Sequence, residues 1–119
     1  MQDYDIPLFG ETFAVEAGHY KTWKARVEVS EKQYNRIEGN ITEMSGHGIN
    51  FLILDTKNYN AWVEDSRNAM AYVKQKNTKN YDFSVVPDHS DDYYFVFDNT
   101  NSILTNKLVK TNASWKYRQ

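Results

Sequence analysis

Hydrophobic positions recur at every second residue over much of this chain, which is the period of a strand with one buried face and one wet face. Trp23, Ala25, Val27 and Val29 alternate with Lys24, Arg26 and Glu28; Ile37, Gly39 and Ile41 alternate with Arg36, Glu38 and Asn40. The polar segment 30–34 between them predicts a connection, so the pair reads as a hairpin. Gly39 falls on the buried phase, where a missing side chain marks a bulge or the close passage of another backbone. Ser45-Gly46-His47-Gly48 predicts a turn, because glycine enters positive φ without steric penalty. Beyond it, Ile49, Phe51 and Ile53 share one face while Leu52 and Leu54 line the other, which predicts a central strand ending at Asp55.

The two-residue period breaks over 56–67. Tyr59, Trp62 and Val63 follow the i, i+3, i+4 spacing of a helical turn, so a short helix or large loop crosses here, with Asn58 or Asn60 as its cap. A weaker strand is expected over 69–73, and the lysine- and asparagine-rich run 74–80 suits an exposed hairpin tip. Tyr81, Phe83 and Val85 alternate again until Pro87, which lacks an N–H, stops the ladder. An acidic turn over 88–92 leads into the aromatic strand 93–97, which ends in the turn Asp98-Asn99-Thr100-Asn101. A last strand spans about Lys107 to Tyr117, with Val109, Thr111, Ala113, Trp115 and Tyr117 on one face; Phe13 and Val15 mark an opening strand. Seven to eight short strands with one short helical crossing predict an all-β fold, an antiparallel β-sandwich of jelly-roll type.

Composition strengthens that reading. Nine Val and six Ile against five Leu, with nine Tyr and six Phe, suit a pleated, half-buried surface. The length of 119 residues, without a repeat or a Gly/Ser linker, predicts one domain over 1–119. A net charge of −2 offers no field for nucleic acid, and no apolar run approaches the roughly 20 residues of a membrane span. The absence of cysteine removes disulfide scaffolds, zinc ribbons and thiolate nucleophiles. No charged-then-apolar leader precedes Ile6, so any export signal is expected to have been removed.

Candidate chemistry is sparse. His19, His47 and His89 all fall in predicted turns, where surface histidine is the ordinary reading. Asp88, His89, Asp91 and Asp92 crowd together as a calcium loop does, yet the alternating oxygen-ligand spacing of an EF-hand is missing, so no metal and no cofactor is expected. Asp55 and Asp98 end core strands; each is expected to close a turn on backbone amides, with Lys107 beside Asp98 as an ion-pair partner. No nucleophile elbow, phosphate loop, dinucleotide fingerprint or zinc-hydrolase motif occurs, and no enzyme is expected. The lysines Lys74, Lys76 and Lys79, and the group Lys107, Lys110, Lys116 and Arg118, read as solvated edge-strand charges rather than a nucleic-acid groove. Asn40-Ile41-Thr42 and Asn112-Ala113-Ser114 match the N-glycosylation sequon.

Three segments together resemble a known family. Tyr93-Tyr94-Phe95-Val96-Phe97-Asp98-Asn99, followed by Ser102, Thr105, Lys107 and Val109, looks like the closing motif of GOLD (Golgi dynamics) domains, with its aromatic strand, acidic-Asn turn, and Ser and Lys ahead of the last strand. Gly48 to Asp55, with Asn58-Tyr59 and Trp62 behind it, is similar to the central strand and crossing of prokaryotic GOLD-like modules, and Val15 to Tyr20 resembles their first strand and turn. The resemblance implies a β-sandwich acting as a protein-interaction module, with Asp98, Asn99, Ser102 and Lys107 as a structural turn motif and no catalytic residue. The sequence departs from the cargo receptors of that family, showing no cysteine pair and no heptad region, and no membrane anchor is expected within it.

The expected function is therefore non-catalytic binding of a protein partner or of a second copy, as an adaptor or a subunit of an extracellular or surface assembly. Edge-strand pairing is the expected mechanism, since Tyr4 to Phe9 carries Ile6, Leu8 and Phe9 ahead of the first clear strand and can pair with an edge of its own or a neighbouring sheet. Tyr59 and Trp62 complete the expected interaction surface. A glycan is the alternative ligand, because jelly-roll sandwiches host lectins and aromatic faces suit sugar rings.

Overall fold

The computed structural model describes residues 1–65 and 67–119. Its elements run β1 (Asp3–Val15), β2 (Tyr20–Val27), β3 (Gln33–Glu43), β4 (Ile49–Asp55), α1 (Thr56–Val63), β5 (Val73–Thr78), β6 (Asn80–Val85), β7 (Asp91–Asp98) and β8 (Lys107–Arg118). They form two four-stranded antiparallel sheets, ordered β1-β8-β3-β6 and β2-β7-β4-β5. First pairs with last, second with seventh, third with sixth and fourth with fifth, which is the order of a jelly roll and matches the expected sandwich.

The alternation read from the sequence gives each sheet its inner face. Val15, Ile37, Ile41, Val109 and Phe83 from one sheet meet Val27, Phe51, Ile53, Phe95 and Phe97 from the other, all at most 3% exposed. Rings interlock across the interface, with Phe51 against Phe83 at 5.4 Å and Phe13 edge-on to Phe97 at 5.1 Å. Full burial of one such side chain stabilises by roughly 1.5–3 kcal/mol. β4 is apolar on both faces because α1 covers its outer side, where Tyr59, Trp62 and Tyr94 close over Leu52, Leu54 and Val96. Gly39 marks a close passage, not a bulge: a Cβ there would stand 2.1 Å from the Asn112 carbonyl oxygen and 2.4 Å from Phe83 Cζ.

Four expectations change. The segments around Trp23 and Ile37 do not form a hairpin, because β2 pairs with β7 and β3 with β8 and β6, in opposite sheets. Alternation reports which face is buried and says nothing of which strand lies alongside. The cap of α1 is Asp55, whose side chain accepts the Asn58 N–H at 3.0 Å; neither Asn58 nor Asn60 serves. Val63, 50% exposed, does not join the covered stripe, and residue 66 of the expected crossing lies outside the described residues. Finally, the strand expected over 69–73 runs instead over Val73–Thr78, so Lys74 to Asn77 are strand residues, with Lys74 and Gln75 opposite Leu52 and Phe51 of β4 and Lys76 and Asn77 in an irregularity of the ladder. Its lysines hid it, since an edge strand carries charge where a central one carries apolar groups.

Candidate functional site

At one end of the sandwich the β7–β8 loop is pinned from below by Asn99, which is 1% exposed. Its side-chain NH₂ donates to the carbonyls of Val15 at 3.1 Å and Thr105 at 2.9 Å, while its backbone N–H donates to the His19 carbonyl at 2.9 Å. Its own carbonyl accepts the Gly18 N–H at 3.1 Å. The Ser102 hydroxyl donates to the Thr105 carbonyl at 3.1 Å, and Asp98 accepts the backbone N–H and hydroxyl of Thr100 at 2.9 and 2.6 Å. Asp98, Asn99 and Ser102 thus build the turn. Lys107 does not: it stands opposite Val15 at the head of β8, and among the described residues no ion pair joins it to Asp98, whose carboxylate is engaged by Thr100.

This pedestal holds two apolar side chains in water. Ile103 and Leu104 are 90% and 91% exposed, and Met44 and Leu108, joined by a 2.7 Å bond from the Met44 N–H to the Leu108 carbonyl, are exposed at the same end. Sequence reasoning passed over Ile103-Leu104 because the pair belongs to no periodic pattern. An apolar dipeptide alone in a polar loop was itself the signal, since nothing in the fold requires it there.

At the opposite end, Asp55 at the close of β4, Asp91 at the start of β7 and His89 in the β6–β7 connection converge. His89 Nε2 lies 3.1 Å from Asp91 Oδ2 and 3.4 Å from Asp55 Oδ2, and its Nδ1 donates to Asp88 Oδ1 at 2.7 Å. Asp88 also accepts the Tyr72 hydroxyl. The imidazole pKa is pushed up, first by the bond to Asp88 and then, against desolvation, by Asp91 and the charges of Asp88 and Asp55. Asp88 is held low by Tyr72 and His89; in Asp91, bonds from Thr56, Asp92 and His89 outweigh the burial that alone would raise it. Burial and the Asp88 carboxylate push the Tyr72 phenol up. Asp92, grouped with these residues in the sequence, instead faces Arg26 at 3.9 Å. Asp55, which lies 34 positions from His89 in the chain and was not grouped with it, takes its place.

The residues expected to form an interaction surface are scattered. Leu8 and Phe9 pack on the main core, with the Phe9 ring edge-on to Phe95 at 4.9 Å, whereas Ile6, 37% exposed, stands opposite Trp115 in the β1–β8 ladder. Tyr59 and Trp62 lie on the outer face of the other sheet, Tyr59 stacked on Tyr94 at 4.1 Å. Asp55 closes β4 opposite Tyr93 and Asp98 closes β7 opposite Asn50, at opposite ends of the β4–β7 ladder, so they do not form a carboxylate pair. No helix among the described residues is long and apolar enough to cross a membrane. No family model and no curated protein matches the chain. What is established is thus an all-β sandwich of two four-stranded antiparallel sheets with one short helix, whose two ends carry different chemistry.

Proposed function

We propose that this domain is a non-catalytic protein-binding module that docks its partner through the β7–β8 end. The observation that carries the reading is the Ile103-Leu104 pair, 90% and 91% exposed on a loop held by at least four hydrogen bonds to Asn99 and Ser102. Covering two such side chains contributes roughly 1.5–3 kcal/mol each, and a loop already ordered loses little further entropy on binding. The resemblance to GOLD domains, which serve as interaction modules, points the same way, because the Asp98-Asn99 turn and Ser102 that carry it are the pedestal of this loop. Strand donation by Tyr4 to Phe9 is the weaker mechanism: β1 is already bonded to β8 over its length, and Pro7 with the irregularity between Pro7 and Phe9 blunts its free edge.

The test compares wild-type protein with the double variant Ile103→Asp, Leu104→Asp as immobilised bait for extract of the native source. Light scattering checks self-association in parallel. Partners, or a dimer, lost in a variant that melts as the wild type does support the docking loop. Retention of the same set by both baits overturns it.

A glycan-binding reading is favoured by one feature, a cleft of about 360 Å³ bordered by Tyr4, Tyr34, Tyr117, Asp3, Asp5 and Arg118. Tyr4 and Tyr117 stack at 5.0 Å, and Tyr34, 71% exposed, faces the Arg118 guanidinium at 5.0 Å. Binding on a glycan array that disappears in Tyr34→Ala and persists in the loop variant would select this reading over the first.

A further inference from the structure

We infer that Asp55, His89 and Asp91 form a binding site for a first-row divalent cation of the zinc type. The site departs from the expectation of no metal, and it lies at the end of the sandwich opposite the proposed docking loop.

One ligand atom from each residue lies within 4.8 Å of the other two. Each group is divided between an anchoring atom and one that meets the other two. Asp55 Oδ1 accepts the Asn58 N–H at 3.0 Å and the Asn58 side-chain NH₂ at 2.8 Å. Asp91 Oδ1 accepts the Thr56 hydroxyl and the Asp92 N–H, each at 2.7 Å. His89 Nδ1 is held by Asp88, the carboxylate–histidine arrangement that sets the tautomer of a metal-bound imidazole. Asp55 Oδ2, Asp91 Oδ2 and His89 Nε2 face one another; Asp91 Oδ2 takes only a long bond from the Thr56 N–H at 3.3 Å, and the His89 Nε2 contact to it at 3.1 Å is the one a cation would replace.

Their spacing fits an ion. Ligands on a tetrahedral centre with bonds of about 2.0 Å stand about 3.3 Å apart. The two carboxylate oxygens stand 3.1 and 3.4 Å from Nε2, close to that spacing, and within 4.8 Å of each other, so small side-chain shifts bring all three onto one ion. Charge argues the same way. Asp55, Asp88 and Asp91 gather around one imidazole, and among the described residues no lysine or arginine forms an ion pair with any of them. A dication offsets this excess. Asp55 is only 9% exposed, where an uncompensated carboxylate is most expensive.

The donor set selects the ion. One imidazole nitrogen with two carboxylate oxygens suits zinc and its neighbours, whereas calcium takes six to eight oxygens and magnesium holds its waters. A cleft of about 270 Å³ bordered by Asp55, Asn58, Met70, Ala71, Tyr72 and Asp88 adjoins the cluster through Asp55, roomy enough for water or a partner's side chain as a further ligand. The two carboxylate ligands sit at the end of β4 and the start of β7, hydrogen-bonded neighbours in one sheet, and His89 lies two residues ahead of β7, so the site is held by the scaffold rather than by a loop alone.

The test titrates tag-free, chelator-treated protein with zinc by calorimetry, follows thermal unfolding, and substitutes cobalt(II) as a visible probe. One equivalent of zinc, a raised Tm and the absorption of four-coordinate cobalt are expected. His89→Gln abolishes all three and His47→Gln leaves them intact. Asp55→Asn, whose side-chain oxygen can still cap α1, keeps the fold of the apo protein and loses the cobalt spectrum, which guards against a variant that merely unfolds. Asp88→Asn, acting through the imidazole, weakens binding about 10–100-fold. Absence of zinc binding, zinc binding undiminished in folded Asp55→Asn and His89→Gln, or a response to calcium alone would each overturn the site.

Discussion

Glu43 reaches from the end of β3 to accept the backbone N–H of Leu108 on β8 at 2.9 Å, and the same carboxylate closes the turn that follows it. It accepts the Ser45 N–H at 3.0 Å, the Ser45 hydroxyl at 2.6 Å, and the His47 and Gly48 N–H groups at 3.0 and 3.1 Å. Only 3% of the residue is exposed. Burial alone would raise its pKa, but the Ser45 hydroxyl and the amides of Leu108, Ser45 and Gly48 outweigh it and bring the group down from 4.5 to about 2.

A depressed carboxylate stabilises the fold above its unfolded pKa and loses that contribution as pH falls through the folded value. For Glu43 the window runs from 4.5 down to about 2, and the contribution at neutral pH is about 3 kcal/mol. Glu43→Gln, which offers one acceptor oxygen where the carboxylate offers two, is expected to lower urea stability at pH 7 by about 2–3 kcal/mol. The gap between variant and wild type should then narrow between pH 4.5 and 2; a gap constant across that range rejects the assignment.

Gly39→Ala is expected to destabilise by about 3 kcal/mol or more. The new methyl would stand 2.1 Å from the Asn112 carbonyl oxygen and 3.0 Å from Ala113 Cα, both backbone atoms of a central strand that cannot move without disturbing the ladder. Gly10→Ala, with nothing within 4 Å of its Cβ, is the matched control and is expected to change stability by no more than about 0.5 kcal/mol. Equal effects of the two in urea titration would show that β3 and β8 lie farther apart than described.

What could be read from the chain and what could not divide along physical lines. Burial phase is local, so the inner residues of β2, β3, β4, β7 and β8 stand out as a two-residue rhythm. Pairing is not local. The rhythm of Trp23 and Ile37 is equally consistent with one sheet or two, and only closure of the roll separates them. The Asp98-Asn99-Ser102 turn was legible because its hydrogen bonds run within a few residues, except for the bonds from Asn99 to Val15 and His19. The Asp55 cluster was half legible. Asp88, His89 and Asp91 announce themselves as a charged run, but Asp55 joins them only because β4 and β7 are neighbours.

Asn40 and Asn112, the two sequon asparagines, are directly opposite each other in the β3–β8 register. Directly opposed residues have Cα atoms about 4.5–5.5 Å apart, too close for two branched glycans. The Asn40 amide also donates to Asp82 at 2.6 Å, whereas Asn112 is exposed. Folded protein from a glycosylating host is therefore expected to carry at most one glycan, on Asn112. Mass spectrometry before and after glycosidase, with Asn112→Gln alongside, checks this; two glycans on one folded chain would contradict the register.

Removal of residues 1–9 tests the role of the opening strand. These residues include the first half of β1, bonded to β8 from Asp3 opposite Arg118 to Phe9 opposite Ala113. Leu8 and Phe9 also pack on the core, Phe9 against Phe95 at 4.9 Å and Trp23 at 6.2 Å. Loss of Phe9 alone opens a gap beside two aromatic rings, and substitutions of that kind cost about 3–5 kcal/mol at fully buried sites. Truncation adds to this by baring the β8 edge between Ala113 and Arg118, whose unpaired N–H and C=O groups then recruit another strand. The expected outcome is a marked fall in Tm together with dimers or larger species in light scattering, where the full chain gives its own defined mass. A truncated monomer with unchanged melting would mean that the β1–β8 ladder contributes nothing over those residues.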